Sequence, residues 1–127
     1  MPKKTRILVV DGEPRICEFL EALLARFGYN TDSAYHADEA LARVEAGAYD
    51  LALADLAAPG ADGFALVARI KAVRPDLPVI VVAGCASLET AVEALLNGAD
   101  DYVTKPFNID ELRKIVSRAL QPVPAVR

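Results

Sequence analysis

Short runs rich in aliphatic and β-branched residues alternate along this chain with segments of helical period, and that alternation leaves few folds open. The strand candidates are residues 7–10, 30–33, 51–54, 79–82 and 101–104. Two of them, Ile7-Leu8-Val9-Val10 and Val79-Ile80-Val81-Val82, are apolar throughout. A strand with no polar face must be covered on both sides, so these two are expected at the centre of a parallel sheet with helices above and below.

The intervening segments carry matching helical signals. Ile16, Phe19, Leu20, Leu23, Leu24 and Phe27 share one face of a helix that Pro14 can open and Gly28 can close. A second helix carries Ala37, Ala40, Leu41 and Val44 up to Gly47, and a third carries Leu66, Ile70 and Val73 before Pro75 stops it. A fourth is expected from Ser87 to near Gly98. The fifth has Asn108 as its N-cap and an apolar stripe of Ile109, Leu112, Ile115, Val116 and Ala119. Right-handed crossovers then favour an α/β, doubly wound, five-stranded parallel sheet of order 2-1-3-4-5, flavodoxin-like, with helices on both faces.

Composition narrows the functional classes. The chain has 127 residues, enough for one core, with 54% hydrophobic and 25% charged residues. No apolar run approaches the roughly 20 residues of a membrane helix, and the run after the basic N-terminus is too short for a secretory signal, so a cytoplasmic location is expected. A net charge of −4 argues against an extended nucleic-acid surface. Cys17 and Cys85 lack metal-ligand spacing and are read as reduced thiols. We place one domain at residues 1–120 and read 121–127, with Pro122 and Pro124, as a tail or the start of a linker.

In a 2-1-3-4-5 sheet the winding reverses between strands 1 and 3, and ligands bind at the carboxyl edge beside that switch point. The residues leaving the central strands are Asp11-Gly12-Glu13, Asp55, Ala83-Gly84 and Lys105-Pro106. Crowded carboxylates invite a hard divalent cation such as Mg2+, and a neighbouring lysine adds donors for an anionic oxygen. Together they suit phosphoryl transfer to Asp55. Plainer readings exist: an acid at a strand end is often a helix cap, Glu13 suits a helix N-terminus, and Lys105 alone would be a surface lysine. His36, in a loop, receives no role. Cys85, one residue beyond Gly84, permits a redox reading that nothing else in the sequence supports.

These motifs resemble the receiver domains of two-component response regulators over residues 6–120. Ile7-Leu8-Val9-Val10-Asp11 is similar to the family's first strand and acidic pocket. Asp55 with Pro59-Gly60 and Asp62-Gly63 is similar to its phosphoacceptor loop, and Gly98-Ala99-Asp100-Asp101-Tyr102 through Lys105-Pro106-Phe107 to its last strand. The resemblance implies a phosphoacceptor signalling domain rather than an enzyme, with a sensor histidine kinase as phosphoryl donor. It implies Mg2+ held by Asp11, Asp55 and the carbonyl of Ala57, Lys105 as the phosphoryl-binding lysine, and a cis bond before Pro106.

Two positions depart from the family pattern. Gly12 replaces the second acid, the direct metal ligand, which should weaken Mg2+ binding. Ala83 replaces the switch Ser or Thr, removing a charge-assisted hydrogen bond worth on the order of 1.5–3 kcal/mol. Tyr102, similar to the aromatic that turns inward behind that hydroxyl, remains and can equally be a plain half-buried tyrosine. The alternative is therefore a phosphorylation-independent receiver serving as an interaction module. In either case the expected contact face for an output domain or effector is the fourth helix, fifth strand and fifth helix, including Ala91, Val92, Leu95 and Tyr102, and a homodimer is left open. A haloacid-dehalogenase-type phosphatase would need an acid at Ala57, and a flavodoxin-type redox domain a phosphate loop in place of Asp11-Gly12-Glu13-Pro14.

Overall fold

A computed structural model describes residues 4–47, 49–60, 62–84 and 87–121. Ten elements alternate in chain order: β1 (Arg6–Val10), α1 (Pro14–Arg26), β2 (Asn30–Ala34), α2 (Ala37–Ala46), β3 (Leu51–Asp55), α3 (Gly63–Val73), β4 (Val79–Ala83), α4 (Leu88–Leu96), β5 (Asp101–Thr104) and α5 (Ile109–Ala119). The strands form one parallel sheet ordered β2-β1-β3-β4-β5, as expected.

Strict alternation along the strands divides the core into two layers. Ile7, Val9, Leu51, Leu53, Ile80, Val82 and Val103 pack with Leu20, Leu24, Leu112 and Val116 of α1 and α5. Leu8, Val10, Ala52, Ala54, Val79 and Val81 pack on the other face with Ala40, Val44, Leu66, Ile70 and Ala94 of α2, α3 and α4. β1, β3 and β4 are therefore apolar because both of their faces are covered.

Local chemistry sets the helix ends. Pro14 opens α1, Asp62 caps α3 by accepting the Phe64 N–H, and Asn108 caps α5 by accepting the Glu111 N–H. The carboxyl edge is further shaped by Gly60, whose φ of +101° suits a residue without a Cβ. Gly63 must also be small, because a Cβ there would lie 2.4 Å from the Leu56 backbone.

Three expected stripe residues are exposed instead: Phe19 at 44%, Val73 at 39% and Ile109 at 48%. Val73 and Ile109 are the terminal residues of α3 and α5, where helix ends offer less packing than helix middles. Phe19 stacks on Phe107, ring centroids 6.3 Å apart, forming an apolar patch beside the loop after β5. Among the described residues no helix is long and apolar enough to cross a membrane. Cys85 and residues 122–127 of the expected tail lie outside the described residues.

Candidate functional site

β1, β3 and β5 each deliver one charged residue to the same edge of the sheet. Asp11 leaves β1, where its N–H bonds the Ala34 carbonyl at 3.1 Å; Lys105 leaves β5, where its N–H bonds the Ala83 carbonyl at 2.9 Å. Asp55 is the last residue of β3 rather than the first beyond it. The Lys105 ammonium bridges both acids, Nζ standing 2.5 Å from Asp55 Oδ2 and 3.1 Å from Asp11 Oδ2. The second oxygen of each carboxylate is held by backbone. Asp55 Oδ1 accepts the Ala57 N–H at 2.6 Å, and Asp11 Oδ1 accepts the Glu13 N–H at 2.9 Å.

Asp55 stands at the carboxyl edge of the sheet, as expected. Its side chain is only 7% exposed, and that of Asp11 6%. They are the two buried charged residues among those described. Each carboxylate oxygen has one hydrogen-bond donor, which is how a buried charge becomes tolerable. The site still carries strain in the electrostatic sense, since one ammonium faces two carboxylates. Burial pushes the Asp11 carboxyl above its ordinary pKa, helped by the nearby Asp55 charge, against the pull of the Glu13 N–H and Lys105. Burial alone would lower Lys105, but its bonds to Asp55 and Asp11 outweigh that and hold its pKa above the usual lysine value.

Gly12 occupies a crowded position. A Cβ on it would stand 2.6 Å from Cδ of Pro59, so the proline ring fills the space a side chain would need. Pro59 is tied in turn to the loop after β2, its carbonyl accepting the Ala37 N–H at 2.8 Å. His36, given no role from sequence, packs its ring over Gly60 and caps α2, Nδ1 accepting the Asp38 N–H at 3.1 Å. The three loops after β1, β2 and β3 are thus interlocked beside the carboxylates. Sequence alone could not show this, because no motif links His36 to a loop more than twenty positions away.

The other expected residues fall as follows. Glu13 is exposed and meets Asp11 only through its backbone. Ala57 contacts Asp55 through its N–H, which donates to Asp55 Oδ1. Ala83 ends β4, buried, and with Asp55, Ala57, Phe64, Gly84 and Thr90 it lines a pocket of about 250 Å³. Tyr102 is half-buried on β5, with its backbone N–H donating to Asp101 Oδ1. The Lys105–Pro106 bond is cis. Beneath the site the buried Cys17 thiol donates to the Asp11 carbonyl at 3.5 Å, and burial raises its pKa.

Among the described residues no three His, Cys, Asp or Glu side chains gather into a metal cluster. Two carboxylates remain, and Mg2+ commonly binds through one or two carboxylates while keeping several waters. The donor chemistry therefore fits a largely hydrated Mg2+ better than a fully protein-caged ion.

The family model for the response regulator receiver domain matches residues 7–117. The chain is 43% identical over 117 residues to the transcriptional regulatory protein ZraR of Salmonella typhimurium, covering 92% of this chain and 26% of that protein. It is 39% identical over 107 residues to the transcriptional regulatory protein TcrA of Mycobacterium tuberculosis, covering 84% of this chain and 42% of the relative. It therefore spans between about a quarter and two fifths of these relatives' lengths. Its fold is similar to a CheY-like receiver domain protein from Methanospirillum hungatei, with a TM-score of 0.87, 36% identity and coverage of 93% and 94% of the two chains. A Burkholderia pseudomallei response regulator with a phosphorylated aspartic acid and a calcium ion matches at a TM-score of 0.81 and 33% identity, over 93% of this chain and 67% of that one. Motif, topology and these matches agree that the chain belongs to the response regulator receiver domain family of two-component systems, a signalling module rather than an enzyme.

Proposed function

We propose that this receiver accepts a phosphoryl group on Asp55 from a sensor histidine kinase in the cytoplasm and relays it by a conformational change. The observation that carries this reading is the bridge from Lys105 Nζ to Asp55 Oδ2 and Asp11 Oδ2. It sets a fixed cation beside a carboxylate nucleophile that borders a pocket of about 250 Å³.

In the reaction an Asp55 carboxylate oxygen attacks phosphorus, the bond from phosphorus to the kinase's histidine nitrogen breaks, and the imidazole leaves with the electron pair and takes a proton from solvent. Lys105 moves from neutralising Asp55 to binding a phosphoryl oxygen, with its donors already aimed at the site. The Ala57 N–H keeps Asp55 oriented for attack. Bound Mg2+ would supply charge neutralisation to the phosphoryl oxygens, and Asp11, Asp55 and the carbonyl of Ala57 are the residues that would hold it. With Gly12 in place of a further carboxylate, this binding is weaker than a three-carboxylate site would give.

Beryllofluoride, a phosphoryl mimic, tests the reading in the presence of Mg2+. A bound 19F resonance is expected for the wild type and not for Asp55→Asn; its absence from the wild type at every Mg2+ concentration would defeat the proposal.

A second reading is favoured by the methyl of Ala83, the filled space at Gly12 and the Lys105 bridge that already joins both acids. It is a phosphorylation-independent receiver that binds an output domain, effector or second copy through α4, β5 and α5. The exposed Leu88, Val92, Leu95 and Leu96 of α4 support that face. Under this reading Asp55→Asn would leave signalling in cells intact, whereas the phosphoacceptor reading expects it to be lost.

A further inference from the structure

We infer that Thr90, in the first turn of α4, supplies the hydroxyl that Ala83 lacks, so that α4 itself registers a phosphoryl group on Asp55. This rests on the phosphoacceptor reading above.

The pocket beside Asp55 is bordered on one side by the loop after β3, through Ala57, and on the other by the end of β4 and the start of α4, through Ala83, Gly84 and Thr90. At about 30 Å³ per water, its volume of about 250 Å³ leaves room for a phosphoryl group and a few waters. A phosphoryl group brings anionic oxygens that need donors. Lys105 serves one side. On the other, Ala83 offers only a methyl, and among the described lining residues Thr90 alone carries a side-chain hydroxyl.

The hydrogen bonds around Thr90 leave its proton available. Ser87 Oγ accepts the Thr90 N–H at 3.0 Å as the cap of α4, and the two hydroxyl oxygens stand 2.8 Å apart. A hydroxyl has one proton and two lone pairs. With Ser87 donating its proton to Thr90 Oγ1, the Thr90 proton is free to reach a phosphoryl oxygen without breaking the cap. Ser87 is exposed, whereas Thr90 is half-buried and lines the pocket.

The consequence differs from that of a hydroxyl on Ala83. A donor at position 83 would draw on the end of β4, a strand held in the sheet. Thr90 belongs to α4, so a bond from it to the phosphoryl group pulls directly on the helix bearing Leu88, Val92, Leu95 and Leu96. Thr104 is the register partner of Ala83 in β5, yet it lines the surface beside α5 and not this pocket. It is the natural control.

Hydrogen–deuterium exchange over α4, with and without beryllofluoride and Mg2+, tests the assignment, with the bound 19F resonance reporting occupancy. The wild type, Thr104→Val and Thr90→Ser are expected to show the same beryllofluoride-dependent change in α4. Ser87→Ala, which removes the cap but keeps the Thr90 hydroxyl, is expected to show it too. Thr90→Val is expected to bind the mimic about tenfold or more weakly and, at saturation, to lose the α4 response, and adding Ala83→Thr to Thr90→Val should recover affinity. A Thr90→Val variant with wild-type affinity and an intact α4 response would overturn the inference, as would loss of the response in Ser87→Ala, which would assign it to the cap. A wild type that never takes up the mimic would count against the phosphoacceptor reading itself, and the inference would fall with it.

Discussion

Lys105 holds two buried acids whose mutual repulsion it only half cancels, and Asp11 registers the imbalance most clearly. Because the folded-state pKa of Asp11 is raised, its contribution to stability is fully present below its unfolded value of 3.8 and is lost as pH rises through the folded value. Ionised Asp11 therefore opposes folding at neutral pH in the absence of metal. Asp11→Asn should raise the thermal midpoint of the metal-free domain at pH 7, and the gain should shrink as pH falls toward 3.8. Melting curves across that range would check this, and an Asn variant less stable at pH 7 would show that the Lys105 bond outweighs burial. Gly12 makes a second residue-scale prediction. Replacing it with Asp, as the family pattern would suggest, forces a Cβ against Pro59 and should cost about 1–3 kcal/mol by overpacking. Pro59→Ala in the same chain should return much of that loss in denaturant unfolding. The identity of the acids and the lysine was legible in sequence because each stands at or just beyond the carboxyl end of a strand. The burial of Asp55 was not, since it depends on how the Lys105 stem and the neighbouring loops close over the edge.

The strands and helices were legible almost to the residue, because the continuous apolar runs of the central strands, the alternation with helical segments and the capping residues are local signals. All five strands were found within one residue at either end, with β3 and β4 each extending one residue further to include Asp55 and Ala83. Helix faces were harder to read at their ends. Ile109 and Val73 fit the apolar period of α5 and α3 but are exposed at the helix ends, and Phe19 stacks on Phe107. His36 shows the complementary failure: as a histidine in a loop it lacked a motif, yet it caps α2 and packs over Gly60. At this scale the N-cap of α5 is the clearest test. Asn108 Oδ1 accepts the Glu111 N–H at 3.0 Å, so Asn108→Ala should cost about 1 kcal/mol in equilibrium unfolding, while Asn108→Asp should restore most of it.

Across the molecule, two carboxylates on different parts of the sheet respond oppositely to acid. Away from the carboxylate pair, Asp32 accepts from Tyr49 Oη at 2.8 Å and Arg6 Nη2 at 2.6 Å, and these two bonds hold its pKa below the ordinary value. Its stabilising contribution is present above 3.8 and is lost as pH falls through the lower folded value. Asp32→Asn should thus destabilise the domain at neutral pH and flatten the acid limb of its stability profile, the reverse of Asp11→Asn. A ligand that binds only the folded state raises stability in proportion to the logarithm of its concentration. Mg2+ should accordingly raise the thermal midpoint of the wild type and do so less for Asp11→Asn. The account as a whole turns on whether Asp55 can become an acyl phosphate. Intact mass spectrometry after incubation with acetyl phosphate and Mg2+ asks this most directly. One added phosphoryl group on the wild type, absent from Asp55→Asn, is the predicted result; an unmodified wild type, or an adduct that persists in Asp55→Asn, would contradict it.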